Sequence, residues 1–324
     1  MIGINVINLR NFIKRRLINR IISSINIKLL VTLISLVFIG NSIYFNFDSL
    51  SNQKITFLEI LWLFGGTILT TISIIINGYA WNLLVNNICS NRNRLDILKL
   101  FLATNIYKYL PGGIWHFVSR YNTLRFNFSH DNSVQSILLE PLLMLVSGLV
   151  YIPFGTLNIG LLILCWSSTL VFLPKCRKYI IKKLKSMKAN IFTNNSKFKD
   201  INLEQTIKNI SNKSTYPYKP LFVEILFIFF RFLGFLCCLN AFSIGTLIPK
   251  GLLISSFSMA WIVGLVVPAA PGGLGVFESV ILFSIGSQLP EAPLLASLLC
   301  YRLVSTISDI FAALIYPIKN YLIS

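Results

Sequence analysis

Charged residues are scarce in this 324-residue chain: 12% are Asp, Glu, Lys or Arg, and 11 acidic residues stand against 29 basic ones. With 55% hydrophobic residues and a mean hydropathy of +0.71, too little polar surface remains to cover a water-soluble core. That excludes a soluble domain and points to a polytopic membrane protein. The six cysteines (Cys89, Cys165, Cys176, Cys237, Cys238 and Cys300) contain no Cys-x-x-Cys pair, so neither a disulfide framework nor a metal site is expected. They fall mostly in apolar runs and read as small hydrophobes; no cofactor is expected. Also missing are Asp-x-Asp, His-x-x-x-x-Asp and a glycine-rich loop ending in Lys-Ser/Thr. Integral glycosyl or acyl transferases tend to place such acidic or His groups in a loop at the membrane surface.

What is present is positive charge, +18 net with a pI near 9.8. In a soluble protein this would suggest nucleic acid. Here the Lys and Arg lie mainly between apolar runs, where they set topology, and no nucleic-acid partner is expected. Residues 1–28 include Arg10, Lys14, Arg15, Arg16 and Arg20 among apolar side chains, a basic amphipathic segment suited to an anionic membrane surface. The apolar run 29–39 resembles a signal-peptide core, but no small-x-small cleavage site follows, so it reads as an uncleaved anchor. Residues 29–324 then form a single transmembrane domain. Spans are expected at 29–47, 57–77 (extending to 85), 134–153, 157–173, 221–242 and 293–317. The segment 174–220 carries twelve basic residues against Asp200 and Glu204, which holds it in the cytoplasm. Counting crossings places the N- and C-termini there too, with the plasma membrane as the expected location.

Two helix-breaking clusters interrupt apolar regions. Pro111-Gly112-Gly113 is followed by Phe117 and Ser119, and Pro271-Gly272-Gly273 by Phe277 and Ser279. The offset is constant, 271 − 111 = 160 and 279 − 119 = 160. Each break joins two runs too short to cross alone, at 98–121 and 251–287. Two readings are open, kinks in ordinary spans or re-entrant hairpins, and the matched spacing favours hairpins. The expected fold is therefore an all-α polytopic membrane protein with six transmembrane helices and two re-entrant Pro-Gly-Gly hairpins. Repeat one covers about 57–155 and repeat two about 221–318. The span 157–173 lies unpaired between them, so the second repeat is inverted.

A Pro-Gly-Gly turn leaves the first N–H groups of the following half-helix without intrahelical partners, and in lipid these must meet water, protein or a ligand. Two such N-termini aimed at one cavity attract an anion, for which a phosphate is the natural candidate. Ionisable residues inside apolar runs are candidates for the same site. Lys108 and Arg120 flank the first break, and Glu278 follows the second. Arg231, Arg302 and Glu140 lie within spans. Arg302 and Asp309 share a helix face seven residues apart, as do Glu224 and Arg231, which is compatible with neutralisation between helices or with substrate contact. His116 suits a polar contact in a packed hairpin or a proton carrier; Trp115 and Trp261 suit packing or interface anchoring.

The motifs Asn105 to Arg120 (Asn-x-x-x-x-Leu-Pro-Gly-Gly-x-x-x-x-x-x-Arg) and Pro268 to Glu278 (Pro-x-x-Pro-Gly-Gly-Leu-Gly-x-Phe-Glu) resemble the transmembrane domain of lysylphosphatidylglycerol synthases and the flippase-like integral membrane family built on it. The resemblance covers nearly the whole chain in layout. It implies a domain that moves a lipid between leaflets. In the bifunctional synthases an attached soluble aminoacyltransferase makes that lipid; neither 174–220 nor the end at Ser324 offers such a domain, so synthase activity is not expected. The leading expectation is a non-enzymatic flippase for an anionic, phosphate-bearing lipid. Its binding residues would be Lys108, Pro111, Gly112, Gly113, His116, Arg120, Arg231, Pro271, Gly272, Gly273, Glu278 and Arg302, with Glu278 pairing with a cation or a coupling proton. The alternatives are an integral glycosyl or acyl transferase, and an accessory scaffold of an envelope lipid or glycan pathway. Envelope biosynthesis enzymes are candidate partners.

Overall fold

The computed structural model describes residues 57–89, 95–109, 114–156, 158–173, 216–267 and 275–315. The amphipathic segment 1–28, the expected span 29–47, most of the basic loop 174–220 and both breaks, 111–113 and 271–273, lie outside the described residues. Among the described residues every regular element is helical. The helices are α1 (Phe57–Ile88), α2 (Ile97–Asn105), α3 (Trp115–Asn127), α4 (His130–Leu149), α5 (Ile159–Ser167), α6 (Tyr218–Ala241), α7 (Lys250–Val266), α8 (Val276–Ile285) and α9 (Glu291–Ile315). Short tighter turns follow α2 (Ile106–Tyr109), α4 (Ile152–Gly155), α5 (Ser168–Phe172) and α8 (Gly286–Gln288).

Four of these elements are long and apolar enough to cross a bilayer: α1, α4 with its following turn, α6 and α9. They coincide with the spans expected at 57–85, 134–153, 221–242 and 293–317. The expected span 157–173 is a shorter element. After α5 the hydroxyls of Ser168 and Thr169 donate to the carbonyls of Cys165 and Trp166, three residues back, at 2.5 and 2.8 Å. That bonding accompanies the tightening of the chain into the turn Ser168–Phe172. Helix starts are set by local chemistry. Asp96 accepts from the Lys99 N–H, Ser129 from Asn132 and Asn158 from Gly160, each satisfying an N–H that the first turn leaves open.

Helices α1 and α6 run antiparallel and in close contact. Gly66 lies against Gly234 and Cys237, while Thr70, one turn further along α1, lies against Gly234. A methyl group added at Gly234 would sit 2.2 Å from the Thr70 hydroxyl, so the missing side chain is what lets the backbones approach. Membrane helices lack a hydrophobic force to drive them together and depend on such small-residue contacts. The interior divides into two apolar clusters. One joins Phe232 and Phe235 of α6 to Phe257 of α7, Phe277 of α8 and Tyr301 of α9, with Phe235 and Tyr301 ring centres 5.2 Å apart. The other joins Trp81 and Leu84 of α1 to Phe101 of α2, Leu139 and Leu143 of α4, and Leu221 of α6. Apolar residues left exposed, such as Phe57 and Phe64 of α1 and Ile163 and Leu164 of α5, form a surface suited to lipid.

Two helix pairs start at one offset: 276 − 115 = 161 and 291 − 130 = 161. This agrees with the 160-residue spacing of the breaks.

Candidate functional site

Helix α9 collects the flanks of both breaks. Residues 302, 305 and 309 recur at i, i+3 and i+7, which places them on one helical face over about 10 Å. At the far end Asp309, fully buried, accepts from the Asn105 amide (2.8 Å) and the Tyr109 hydroxyl (2.6 Å) and pairs with the Lys108 ammonium (2.8 Å). Those three donors sit on α2 and the turn that leads into the first break. At the near end Arg302 forms an ion pair with Glu278, its second nitrogen lying 3.0 Å from Oε2. Glu278 stands in the first turn of α8, directly after the second break. It also accepts from the Gly275 N–H at 2.9 Å, closing the helix start, while Gly275 takes φ 87, a backbone region that L side chains rarely adopt. Between the two anchors, Arg231 of α6 donates to the Ser305 hydroxyl at 2.5 Å.

Arg231 is 9% exposed, and its Nε finds no hydrogen-bond acceptor among the described residues. It lies within electrostatic reach of Asp309, Tyr109 and Lys108. Around this α9 face three cations, Lys108, Arg231 and Arg302, meet two carboxylates, Asp309 and Glu278, which leaves one positive charge in surplus. His116, in the first turn of α3, is packed on Phe117 with ring centres 3.9 Å apart, and its Nδ1 is buried without a partner among the described residues. Arg120 and Lys108 are its charged neighbours.

Arg120 is placed differently from the others. It is 0% exposed and closed into a pocket of α1, α2 and α4 side chains. Its guanidinium pairs with Glu140 of α4, donates to the Thr104 hydroxyl at 3.0 Å, and lies over the Phe101 and Trp81 rings at 3.9 and 5.2 Å. In this arrangement its charge is used to hold α3 against α2 and α4. Glu224 and Arg231 share a face of α6 but do not pair with each other: Arg231 reaches Ser305, and Glu224 lies within electrostatic range of Glu140. Arg302 and Asp309 are each neutralised across a helix boundary, by Glu278 and Lys108. Trp261 packs edge-on against Phe227, 5.5 Å between centres, and Trp115 is half exposed. Pro111, Gly112, Gly113, Pro271, Gly272 and Gly273 are outside the described residues. Sequence reasoning assigned no role to Asn105, Tyr109 or Ser305. Asn105 stands in the first motif, and Ser305 lies on the face defined by Arg302 and Asp309, so both carried a readable signal.

A bundle of long apolar helices, closed around buried ion pairs and lined outside by apolar side chains, defines a multi-pass membrane protein. The chain matches the lysylphosphatidylglycerol synthase TM region over residues 18–313, and it belongs to that family, a membrane domain of the flippase-like, lipid-related class. No curated protein matches the chain.

Proposed function

We propose that the chain is a non-enzymatic transporter that moves an anionic, phosphate-bearing lipid or lipid-linked head group between membrane leaflets. The observation that carries this reading is the α9 face, where Asp309 ties down the approach to one break and Arg302 the departure from the other, with the incompletely bonded Arg231 between them. In this reading Lys108, Arg231 and His116 meet the phosphate, and the N–H groups near Gly112, Gly113, Gly272 and Gly273 complete the shell while the tails stay in lipid. Arg302 and Glu278 frame the site.

Six crossings with two re-entrant hairpins in an inverted repeat is the topology we favour. The antiparallel packing of α1 and α6, the first long helices of the two repeats, supports inversion. The bond between Thr104 and Arg120 supports a hairpin, since (104 + 120)/2 = 112 places its midpoint in the first break. The plasma membrane, cytoplasmic termini and envelope biosynthesis enzymes as partners complete the proposal.

The test is purified protein in vesicles containing a head-group-labelled phospholipid, with an external reductant reporting leaflet exchange. Wild-type protein accelerates exchange, and Arg231→Gln and Lys108→Gln each slow it about tenfold or more, the loss of one charge-assisted hydrogen bond. Exchange no faster than in protein-free vesicles overturns the transporter and leaves the scaffold reading. Conversion of a labelled lipid donor into a new product establishes the transferase instead.

A further inference from the structure

We infer that Glu224 and Glu140 form a proton-binding site, with Glu224 as the group that takes up and releases the proton. This rests on the transport reading for its purpose but not for its chemistry. Glu224 of α6 is 2% exposed and its Oε1 has no hydrogen-bond partner among the described residues. Glu140 of α4 is 5% exposed; one oxygen pairs with Arg120 and the other, Oε2, is likewise without a partner among the described residues. Glu140 is the charged group whose field acts on Glu224. Arg120 therefore pairs with Glu140, and among the described residues no cation pairs with Glu224 in this apolar-walled region. An uncompensated anion there is costly, so the set needs one more positive charge.

A proton fits better than a metal ion. A hard cation requires about six oxygen ligands, whereas the described residues hold no cluster of three or more His, Cys, Asp or Glu. The elements packed on α6 supply few other charges. From α1 come the polar but neutral Asn77 and Trp81, whose Oδ1 and Nε1 are buried without partners among the described residues. From α9 come Asp309, occupied by Lys108, and Arg302, occupied by Glu278; α7 offers Lys250, bonded to the Gly245 carbonyl. On α6 itself Arg231 is seven residues away on the same face, about 10 Å.

The step is a simple protonation: a hydronium ion gives its proton to the Glu224 carboxylate and leaves as water, and on release water takes the proton up again as hydronium. An ionised Glu224 repels Glu140, the carboxylate that holds Arg120, the anchor of the helix that leaves the first break. Proton occupancy and the position of α3 are thereby linked.

Infrared difference spectra of the reconstituted protein test the site without transport. Wild type shows a protonated-carboxyl stretch that titrates with pH and shifts in heavy water. The band disappears in Glu224→Gln and persists in Glu278→Gln. Absence of the band, its survival in Glu224→Gln, or a band constant at every pH overturns the proposal. In the exchange assay an imposed gradient of one pH unit biases wild-type lipid distribution by up to about tenfold per coupled proton, and Glu224→Gln removes the bias. A bias that follows sodium and ignores pH overturns the proton assignment. A titrating band in protein that moves no lipid keeps this site and refutes the transport reading.

Discussion

Arg120 shows how one residue in a membrane interior can be structural while looking like a ligand. A guanidinium at 0% exposure is tolerable because Glu140, Thr104 and the Phe101 carbonyl lie around it, the carbonyl at 3.5 Å. Removing one partner strands the other. Arg120→Ala is expected to destabilise the protein by about 3–5 kcal/mol, read as a lowered unfolding temperature in detergent, while Arg120→Met with Glu140→Met recovers most of the loss. Equal instability in the double variant would show that the pair is more than self-compensating charge. Gly275 is a smaller case at the same scale. At φ 87 an alanine is strained, so Gly275→Ala is expected to cost about 1 kcal/mol or more and to weaken the start of α8. An unchanged unfolding temperature would argue against that geometry.

At the scale of elements, the α1 and α6 pair depends on what its side chains omit. Gly234→Ala forces a methyl against the Thr70 hydroxyl at 2.2 Å and the Gly66 carbonyl at 3.2 Å. The expected cost is about 1–3 kcal/mol, as for other overpacked sites. Adding Thr70→Ala removes the nearer clash and should return more than half of the stability. If the second change does not help, the two helices do not meet at this register. Such contacts join residues more than 150 positions apart, and nothing in the local pattern of either helix announces them. The apolar lengths of α1, α4, α6 and α9 were readable because a bilayer imposes a minimum run on any spanning helix. The short form of 159–172 was harder to read, because successive hydroxyls near its end back-bond to the chain and tighten it.

For the whole molecule, the offset of 161 between corresponding helices and the antiparallel packing of the first pair carry a consequence for sidedness. Arg125, at the end of α3, and Gln288, after α8, are exposed and lie at corresponding ends of the two units. In a background with the native cysteines replaced, one of Arg125→Cys and Gln288→Cys is expected to react with an impermeant maleimide in intact cells and the other only after the cells are permeabilised. Reaction of both from one side would make the repeat parallel and remove the mirror relation between the breaks.

By itself the sequence determined the membrane class, the long helices, the duplicated breaks and the family, because each follows from composition, run length or spacing along the chain. It also supplied most ionisable residues of the site, since a charge in an apolar run stands out. Partnership was left to the tertiary structure: that Lys108 goes to Asp309, Arg302 to Glu278 and Arg120 to Glu140, and that the Glu224 Oε1 is buried with no partner among the described residues. The reason is physical. Pairing in a low-dielectric interior depends on which helix faces approach within hydrogen-bond reach, and that is decided by close packing at positions such as Gly66 and Gly234.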